Sequence, residues 1–201
     1  GRPLRGETAF SAVFRKPLLA AYAVGFCVLF SQVAAFTYAG LYLGLPPFGL
    51  GPAALGTLYT VFLLALIVIP IAGRLSKSRP HAELLSVAAG LGISGSALTL
   101  VPSLWCIVVG LALSSTGVFL AQAAANAFTA ATAGDNKAGA VGMYLTCYYL
   151  GGSCGAIVPA LIWERWGWAG CVTLIITFQV LTLLIALTGW KPVKPQLIAT
   201  P

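Results

Sequence analysis

Ser153 is the residue of this sequence whose neighbours most resemble a catalytic motif. The surrounding GGSCG (151–155) fits G-x-S-x-G, a strand-turn-helix motif that presents a nucleophilic serine, and equally G-x-x-x-G, a packing motif of membrane helices. A serine nucleophile needs a base in reach, but the single histidine, His81, belongs to a distant segment, and the predicted helices contain no lysine. The motif therefore predicts helix packing, and we expect neither an enzyme nor a bound cofactor or metal.

Polar side chains recur at helical spacing in the fourth apolar segment. They are Ser115, Phe119, Gln122, Asn126 and Thr129, with one aromatic among them, and intervals of 4, 3, 4 and 3 residues place them within about 80° on one helix face. Amides facing lipid would leave hydrogen bonds unmade at a cost of several kcal/mol each. The stripe must therefore face other helices, as interhelical hydrogen bonds, or a water-filled substrate path; we favour the path.

Two further helices carry candidate functional faces. In the first apolar segment Gln32 and Tyr38 are candidates for the same substrate cavity, although Tyr38 could instead anchor the helix at the membrane interface. In the fifth segment Gly151, Gly155 and Pro159 share one face with two tyrosines. The glycines predict a groove that either admits a neighbouring helix or permits sliding during a conformational change.

The composition requires a lipid environment around these faces. Of 201 residues, 59% are hydrophobic and 7% are charged, whereas soluble domains carry about 25% charged residues. Six segments are long enough to cross a bilayer. They are residues 17–43, 52–73, 82–101, 104–131, 138–163 and 168–190. The sequence thus predicts an all-α membrane protein with a six-helix transmembrane bundle at 17–190, and polar tails at 1–16 and 191–201.

The distribution of charge predicts an orientation. Ten of the eleven Lys and Arg residues lie in the two tails and the second and fourth connections, and only Arg165 lies on the other side. Cytoplasmic loops collect Lys and Arg, so we expect both termini in the cytoplasm. Because these cations lie in loops and not on one folded face, the net charge of +7 does not indicate nucleic-acid binding.

Membrane-embedded titratable groups are missing. No Asp, Glu, Lys, Arg or His occupies the middle of a predicted span. Proton-driven transport requires such a group, so a proton-coupled parent protein would carry it elsewhere. The chain begins at Gly1 and its one methionine is Met143, and we therefore expect it to be a piece of a longer protein.

Two stretches resemble signatures of the major facilitator superfamily. GRLSKSRP (73–80) resembles the family's G-x-L-a-D-r-x-G-r-r loop: Gly73 and Leu75 match, whereas Lys77 replaces the aspartate and Pro80 the second glycine. GGSCGAIVP (151–159) resembles the glycine-rich antiporter signature of the fifth helix of a half, and the region through WERWGWAGCV is similar to bacterial drug/proton antiporter-type efflux permeases.

The resemblance implies a fold, a partner and a function. It implies the C-terminal half of a twelve-helix transporter, a 3+3 inverted repeat whose first and fourth helices line the cavity. Its partner would be an N-terminal six-helix half that supplies the proton-carrying acids, with residues 1–16 in the central loop. The implied function is proton-coupled export of small molecules by alternating access, in a bacterial inner membrane. The alternative is a self-contained six-helix scaffold or pore that oligomerises through its glycine faces.

Overall fold

The computed structural model describes residues 11–190, apart from the side chains of residues 11, 12 and 76–78, and these residues contain helices and no strand. The helices are α1 (Lys16–Gly44), α2 (Pro52–Thr57), α3 (Ala65–Ser78), α4 (His81–Leu98), α5 (Leu104–Thr132), α6 (Lys137–Ile157) and α7 (Ala160–Gly189), with 3₁₀ turns at Ser11–Phe14 and Leu58–Leu64. The all-α prediction is confirmed. Most of the tail 1–16 and all of 191–201 lie outside the described residues.

Helix α1 is the centre of the bundle. It packs against α5, α6 and α7, whereas α4 packs against α5 and α7 on the far side. The sequence neighbours α6 and α7 barely touch, because α1 lies between them. Sixteen α1 residues are buried, so the face that each α1 side chain presents decides which neighbour it meets.

Small residues bring α4 and α5 into close contact, and α4 supplies many of them in AAGLGISGSA (88–97). A β-carbon at Gly95 would lie 2.5 Å from the backbone nitrogen of Ser114, and one at Gly110 would lie 2.6 Å from the carbonyl oxygen of Gly95. Packing in membranes depends on such close backbone approach, since lipid tails are as apolar as leucine and supply no hydrophobic drive between helices.

The second predicted helix, 52–73, is not α-helical throughout. Its middle, Leu58–Leu64, is 3₁₀ rather than α. Residues 52–64 include Gly56, two threonines and two aromatic residues, whose helix propensities are modest or low, and the hydroxyls of Thr57 and Thr60 bond carbonyls three residues back. Few neighbouring helices cover this segment, so tertiary packing does little to enforce α geometry.

The predicted loop 73–80 is wrong in its extent. Gly73, Leu75 and the backbone of Lys77 belong to the last turns of α3, and the connection to α4 is only Arg79 and Pro80. The apolar run ends near Gly73, but the backbone stays helical as far as Ser78. Pro80 then disfavours a helical conformation of Arg79, which is extended, with φ −121° and ψ 150°. The side chain of Lys77 lies outside the described residues.

The boundary between the last two predicted spans is at Gly167. Val158 and Pro159 interrupt the hydrogen-bond pattern between α6 and α7, yet both retain right-handed helical dihedrals. Gly167 has φ 55° and ψ −146°, a conformation that side chains disfavour, and it breaks α7. The sequence-based boundaries 163 and 168 therefore bracket the break in helical geometry.

Four described segments are long and apolar enough to cross a membrane. They are Lys16–Gly44, Pro52–Leu75, Leu104–Thr132 and Ala160–Gly189. The shorter helices α4 and α6, with their many small and polar residues, are not among them. Apolar length alone thus supports a multi-pass membrane protein, and the count of six spans stays a prediction.

One end of the bundle collects most described cations. The start of α1 meets the end of α5 where Arg15 donates to the carbonyl of Thr132 at 3.0 Å. The end of α7 meets both helices, because Trp190 stacks on Phe128 at 4.4 Å and a β-carbon at Gly189 would lie 2.5 Å from that of Ala20. We call this the cation-rich end; it also carries the exposed residues Lys16 and Lys137.

Candidate functional site

A hydrogen bond between α1 and α5 forms the inner part of the candidate site. The Nε2 of Gln32 donates to the Oγ of Ser115 at 3.2 Å, and both side chains are buried. The Oε1 of Gln32 is also buried but has no hydrogen-bond partner among the described residues. A buried amide oxygen without a donor is costly, so this position favours a water molecule or a ligand that can donate.

Aromatic rings enclose the same region from the 3₁₀ segment. Phe119 of α5 meets Phe62 edge-on, with ring centroids 6.1 Å apart, and Phe62 lies 4.5 Å from Phe36 of α1. Tyr59 packs on Phe36 at 5.6 Å and is half exposed. These four rings join α1, Leu58–Leu64 and α5 into one surface. The polar stripe includes Phe119, but the 3.6-residue period of one helix could not reveal Phe36 or Phe62.

Gln122 and Asn126 continue the stripe outward from Ser115. Gln122 is half-buried and Asn126 is exposed, and neither side chain makes a hydrogen bond within the part of the chain that the structure describes. We call them the open amide pair. In a helix of membrane-spanning length and apolarity, such amides need water or a polar partner from outside the described residues.

Thr129, the last member of the stripe, behaves differently. It is fully buried, and its hydroxyl donates to the carbonyl of Ala125 one turn back at 2.8 Å. Such a bond satisfies the hydroxyl inside its own helix. The open surface of the stripe therefore ends near Asn126.

Tyr38 faces another part of the bundle. Its hydroxyl donates to the carbonyl of Ala156 in α6 at 2.9 Å, its ring lies 5.9 Å from that of Trp163, and only 5% of its surface is exposed. At 100° per residue it lies about 120° around α1 from Gln32. The structure therefore brings Gln32, Ser115 and the open amide pair to one side of α1, and Tyr38 to another.

The glycine face of α6 packs directly on the backbone of α1. A β-carbon at Gly151 would collide with the carbonyl oxygen of Phe26, and one at Gly155 with that of Phe30. Pro159 lies beyond the end of α6, where its carbonyl accepts hydrogen bonds from the start of α7. Gly151 and Gly155 therefore lie in close contact with the backbone of α1; a role of this face in sliding stays a prediction.

A buried hydrogen-bond network around Gln179 was not predicted from the sequence. It lies on the side of α5 that faces α4 and α7, away from Gln32. The Nε2 of Gln179 in α7 donates to the hydroxyls of Ser96 in α4 at 3.2 Å and of Ser114 in α5 at 3.4 Å. Gln179 is 6% exposed. One indication of this network was present in the sequence, because Gln179 is a single amide residue within the apolar segment 168–190. Its satisfied and enclosed surroundings identify it as a contact between helices.

The described residues offer no arrangement for covalent or metal chemistry. They contain no group of three potential metal ligands. Ser153 is exposed and donates to the carbonyl of Tyr149, one turn back in its own helix. His81 instead contacts Phe128 at the cation-rich end. The site can therefore bind through amides, hydroxyls and aromatic rings, and it has no described group for acid–base or nucleophilic catalysis.

Comparison with known proteins identifies the family. The family model "Major Facilitator Superfamily" matches residues 1–156. An uncharacterized transporter of Buchnera aphidicola subsp. Schizaphis graminum is 29% identical over 85% of the chain and 41% of its own length. The uncharacterized MFS-type transporter YybF of Bacillus subtilis is 29% identical, over 84% and 42%. The inner membrane transport protein YnfM of Escherichia coli is 32% identical, over 84% and 40%.

The chain spans about two fifths of the length of the curated relatives it matches. No solved structure matches it significantly. The family match nevertheless covers more than three quarters of the chain, and the relatives are named as transporters and not as enzymes. The chain therefore belongs to the major facilitator superfamily.

Proposed function

We propose that this chain is the C-terminal six-helix half of a secondary transporter that exports small molecules by alternating access. The open amide pair on α5 carries the proposal. Gln122 and Asn126 lie on a long apolar helix, and no described residue bonds their side chains. A solvated cleft shared with a second bundle would hydrate them, whereas lipid would not.

The substrate cavity in this proposal is formed by α1, the 3₁₀ segment and α5. Gln32 and Ser115 form its inner wall, Phe119 its aromatic wall, and Gln122 and Asn126 its open side. The described part of this surface offers amides and rings without a charge, which suits a small neutral or amphipathic molecule. Tyr38 enters the proposal as an anchor between α1 and α6, because its hydroxyl is already bonded to Ala156.

The partner in the proposal is an N-terminal six-helix half of the same parent chain. The matched relatives are more than twice as long as the aligned region, which leaves room for such a half. The second helical segment supports this, since it is strongly apolar yet only 6% of its most apolar window is buried. Leu63, Leu66 and Ile67 are each more than 60% exposed. Lipid and the partner half would together cover these side chains.

Proton coupling and orientation belong to the same proposal. The spans of this half contain no central acid, so the proton carrier would lie in the other half, as in the efflux permeases that the sequence resembles. The cation-rich end would face the cytoplasm of a bacterial cell, with both termini on that side. Gly151 and Gly155 would allow α6 to shift against α1 during rocking.

The alternative of a self-contained scaffold or pore has less support. That function would use the glycine faces to bind other copies. Phe26 and Phe30 of α1 already occupy the face formed by Gly151 and Gly155. The glycines shared by α4 and α5 are likewise used inside the bundle.

We expect the double substitution Gln122→Leu and Asn126→Leu to lower export by about tenfold or more, because two hydrogen bonds to substrate or cavity water are lost at about 0.5–1.5 kcal/mol each. The measurement is the initial efflux rate of a panel of fluorescent amphipathic dyes. It is made from cells expressing the full-length protein, and the dye exported most strongly by the unmodified protein is followed.

Thr116→Val is the matched control in the same helix. The hydroxyl of Thr116 is already bonded to the carbonyl of Ala112, so its loss should leave export unchanged. Protein level and thermal stability are measured for each variant. Unchanged export by the double variant would contradict the proposed cavity. A fall in stability that accounts for the lost export would instead favour interhelical bonding of the two amides.

A further inference from the structure

The 3₁₀ segment Leu58–Leu64 lies within a helical stretch of membrane-spanning length, Pro52–Leu75. It has seven residues, whereas 3₁₀ runs seldom exceed three or four, and a stretch of 3₁₀ inside a helix often marks a hinge. Thr57 has φ −67° and ψ −21°, and Leu64 has φ −57° and ψ −28°. These dihedrals lie within about 20° of α-helical values, so a small backbone change would convert the segment to α-helix.

A side-chain hydrogen bond favours the tighter turn. The hydroxyl of Thr60 donates to the carbonyl of Thr57, three residues back, at 2.7 Å. In the regular helices the hydroxyls of Thr116 and Thr146 instead bond carbonyls four residues back. Thr60 is exposed, so the bond that accompanies the 3₁₀ turn is local to the segment and depends on no neighbouring helix.

The 3₁₀ geometry also aligns two aromatic rings. Residues three apart eclipse one another in a 3₁₀-helix, whereas they lie about 60° apart in an α-helix. Tyr59 and Phe62 have this spacing, and both rings pack on Phe36 of α1, with centroids 5.6 and 4.5 Å away. Phe62 also meets Phe119 of α5. The rings therefore cover the proposed cavity one turn beyond Gln32, toward the end opposite the cation-rich end.

The bundle holds the two ends of the 3₁₀ segment unequally. On one side, α3 packs against α5, and its Ala72 is fully buried. On the other side, all six residues of α2 are exposed or half-buried. Conversion to α-helix would therefore move α2, because seven residues shorten by about 3.5 Å and turn by about 20° each. Counted from Ala65, Phe62 would turn by about 60° and Tyr59 by about 120°.

We propose that the 3₁₀ segment is the gate of the substrate cavity at the end opposite the cation-rich end. Tyr59 and Phe62 close the cavity in the 3₁₀ state, and conversion to α-helix turns them away from Phe36. This inference rests on the proposed transport function. A substrate with an apolar surface would replace Phe62 on Phe119, and the loss of that ring contact would release the segment.

Fluorine NMR of the purified full-length protein tests the gate without an assay of transport. Tyr59 is replaced by 4-trifluoromethylphenylalanine, whose signal depends on the rings around it. We expect two signals, one for each state. Thr60→Ala should raise the open-to-closed ratio about threefold, the usual effect of replacing threonine by alanine in an α-helix. Saturation with the dye that the unmodified protein exports most strongly should raise the ratio as well.

Two matched controls come from α6. Thr146→Ala removes an exposed threonine whose hydroxyl bonds four residues back, so it should leave the ratio unchanged. The same label at Tyr149, an exposed tyrosine that meets the ring of Tyr148, should not respond to Thr60→Ala. A response to Thr146→Ala equal to that of Thr60→Ala would overturn the proposal.

The remaining outcomes separate the gate from the proposed function. A single signal in every sample, or a ratio that Thr60→Ala leaves unchanged, would reject the gate even if the dyes are exported. A ratio that responds to Thr60→Ala but not to the dye would reject the gate as well, because conversion would then be independent of substrate. A failure of the proposed function would appear in the export assay instead, while the ratio still responds to Thr60→Ala.

Discussion

A single methyl group at Gly151 should destabilise the protein by about 1–3 kcal/mol, the usual cost of overpacking a close-packed interface. The β-carbon of Gly151→Ala would collide with the carbonyl oxygen of Phe26 and lie 2.8 Å from its Cα atom. These are backbone atoms of the central helix α1, so no side-chain rotation can relieve the clash. The two helices would have to separate along the contact.

The matched control for this prediction lies in the same helix. Gly142 is exposed, and a β-carbon there would meet nothing within 4 Å. Gly142→Ala should therefore be neutral or slightly stabilising, because alanine has the higher helix propensity. Thermal unfolding of the purified variants in detergent measures both effects, at roughly 2–4 °C per kcal/mol. An unchanged midpoint for Gly151→Ala, or an equal fall for Gly142→Ala, would contradict the α1–α6 contact.

Removing the amide of Gln179 should also be costly. We expect Gln179→Ala to destabilise the protein by about 1–3 kcal/mol, since Ser96 and Ser114 lose a buried partner and a void opens between α4, α5 and α7. Gln179→Leu should cost less. It fills most of the void, and the two serine hydroxyls, 3.3 Å apart, can bond each other.

Two readouts separate this structural role from a role in transport. Thermal unfolding should rank the variants in the order Gln179→Ala, Gln179→Leu and unmodified protein, with the unmodified protein most stable. Thr177→Ala, an exposed α7 position whose hydroxyl bonds its own helix, should match the unmodified protein. Export per folded molecule should stay unchanged in all of them. A selective loss of export in Gln179→Leu would place Gln179 at the substrate and contradict the proposed cavity.

The three glutamine side chains that the structure describes show that one residue type has several roles in this bundle. Gln179 is enclosed and its amide nitrogen is paired, Gln32 is enclosed with its oxygen unpaired, and Gln122 is open. In the sequence, Gln122 stands out because it belongs to the polar stripe of the fourth apolar segment, and Gln32 is a candidate for the same cavity from the first segment, whereas Gln179 stands alone. The sequence around a single glutamine does not show whether serines of other helices will contact it, as Ser96 and Ser114 contact Gln179.

Sequence alone determined the helical class, the positions of most helices and the faces that carry special residues. An apolar run of membrane length must satisfy its own backbone hydrogen bonds, and a helix does so without knowledge of its neighbours. The spacing of Gln122 and Asn126, and of Gly151 and Gly155, follows from the same helical period. Within the helices themselves, the features that differ from prediction are local: the 3₁₀ turn at Leu58–Leu64 and the helical state of Gly73 and Leu75.

Only the tertiary structure decided which face meets which helix. It placed α1 between α6 and α7, turned Tyr38 toward Ala156, and enclosed Gln179 while leaving Asn126 open. In a soluble protein the apolar stripe of a helix indicates its buried side. Here nearly every face is apolar, and lipid and protein neighbours are equally acceptable to leucine or valine. The partners of each helix are therefore set by shape and by a few hydrogen bonds, which appear only when the helices are packed together.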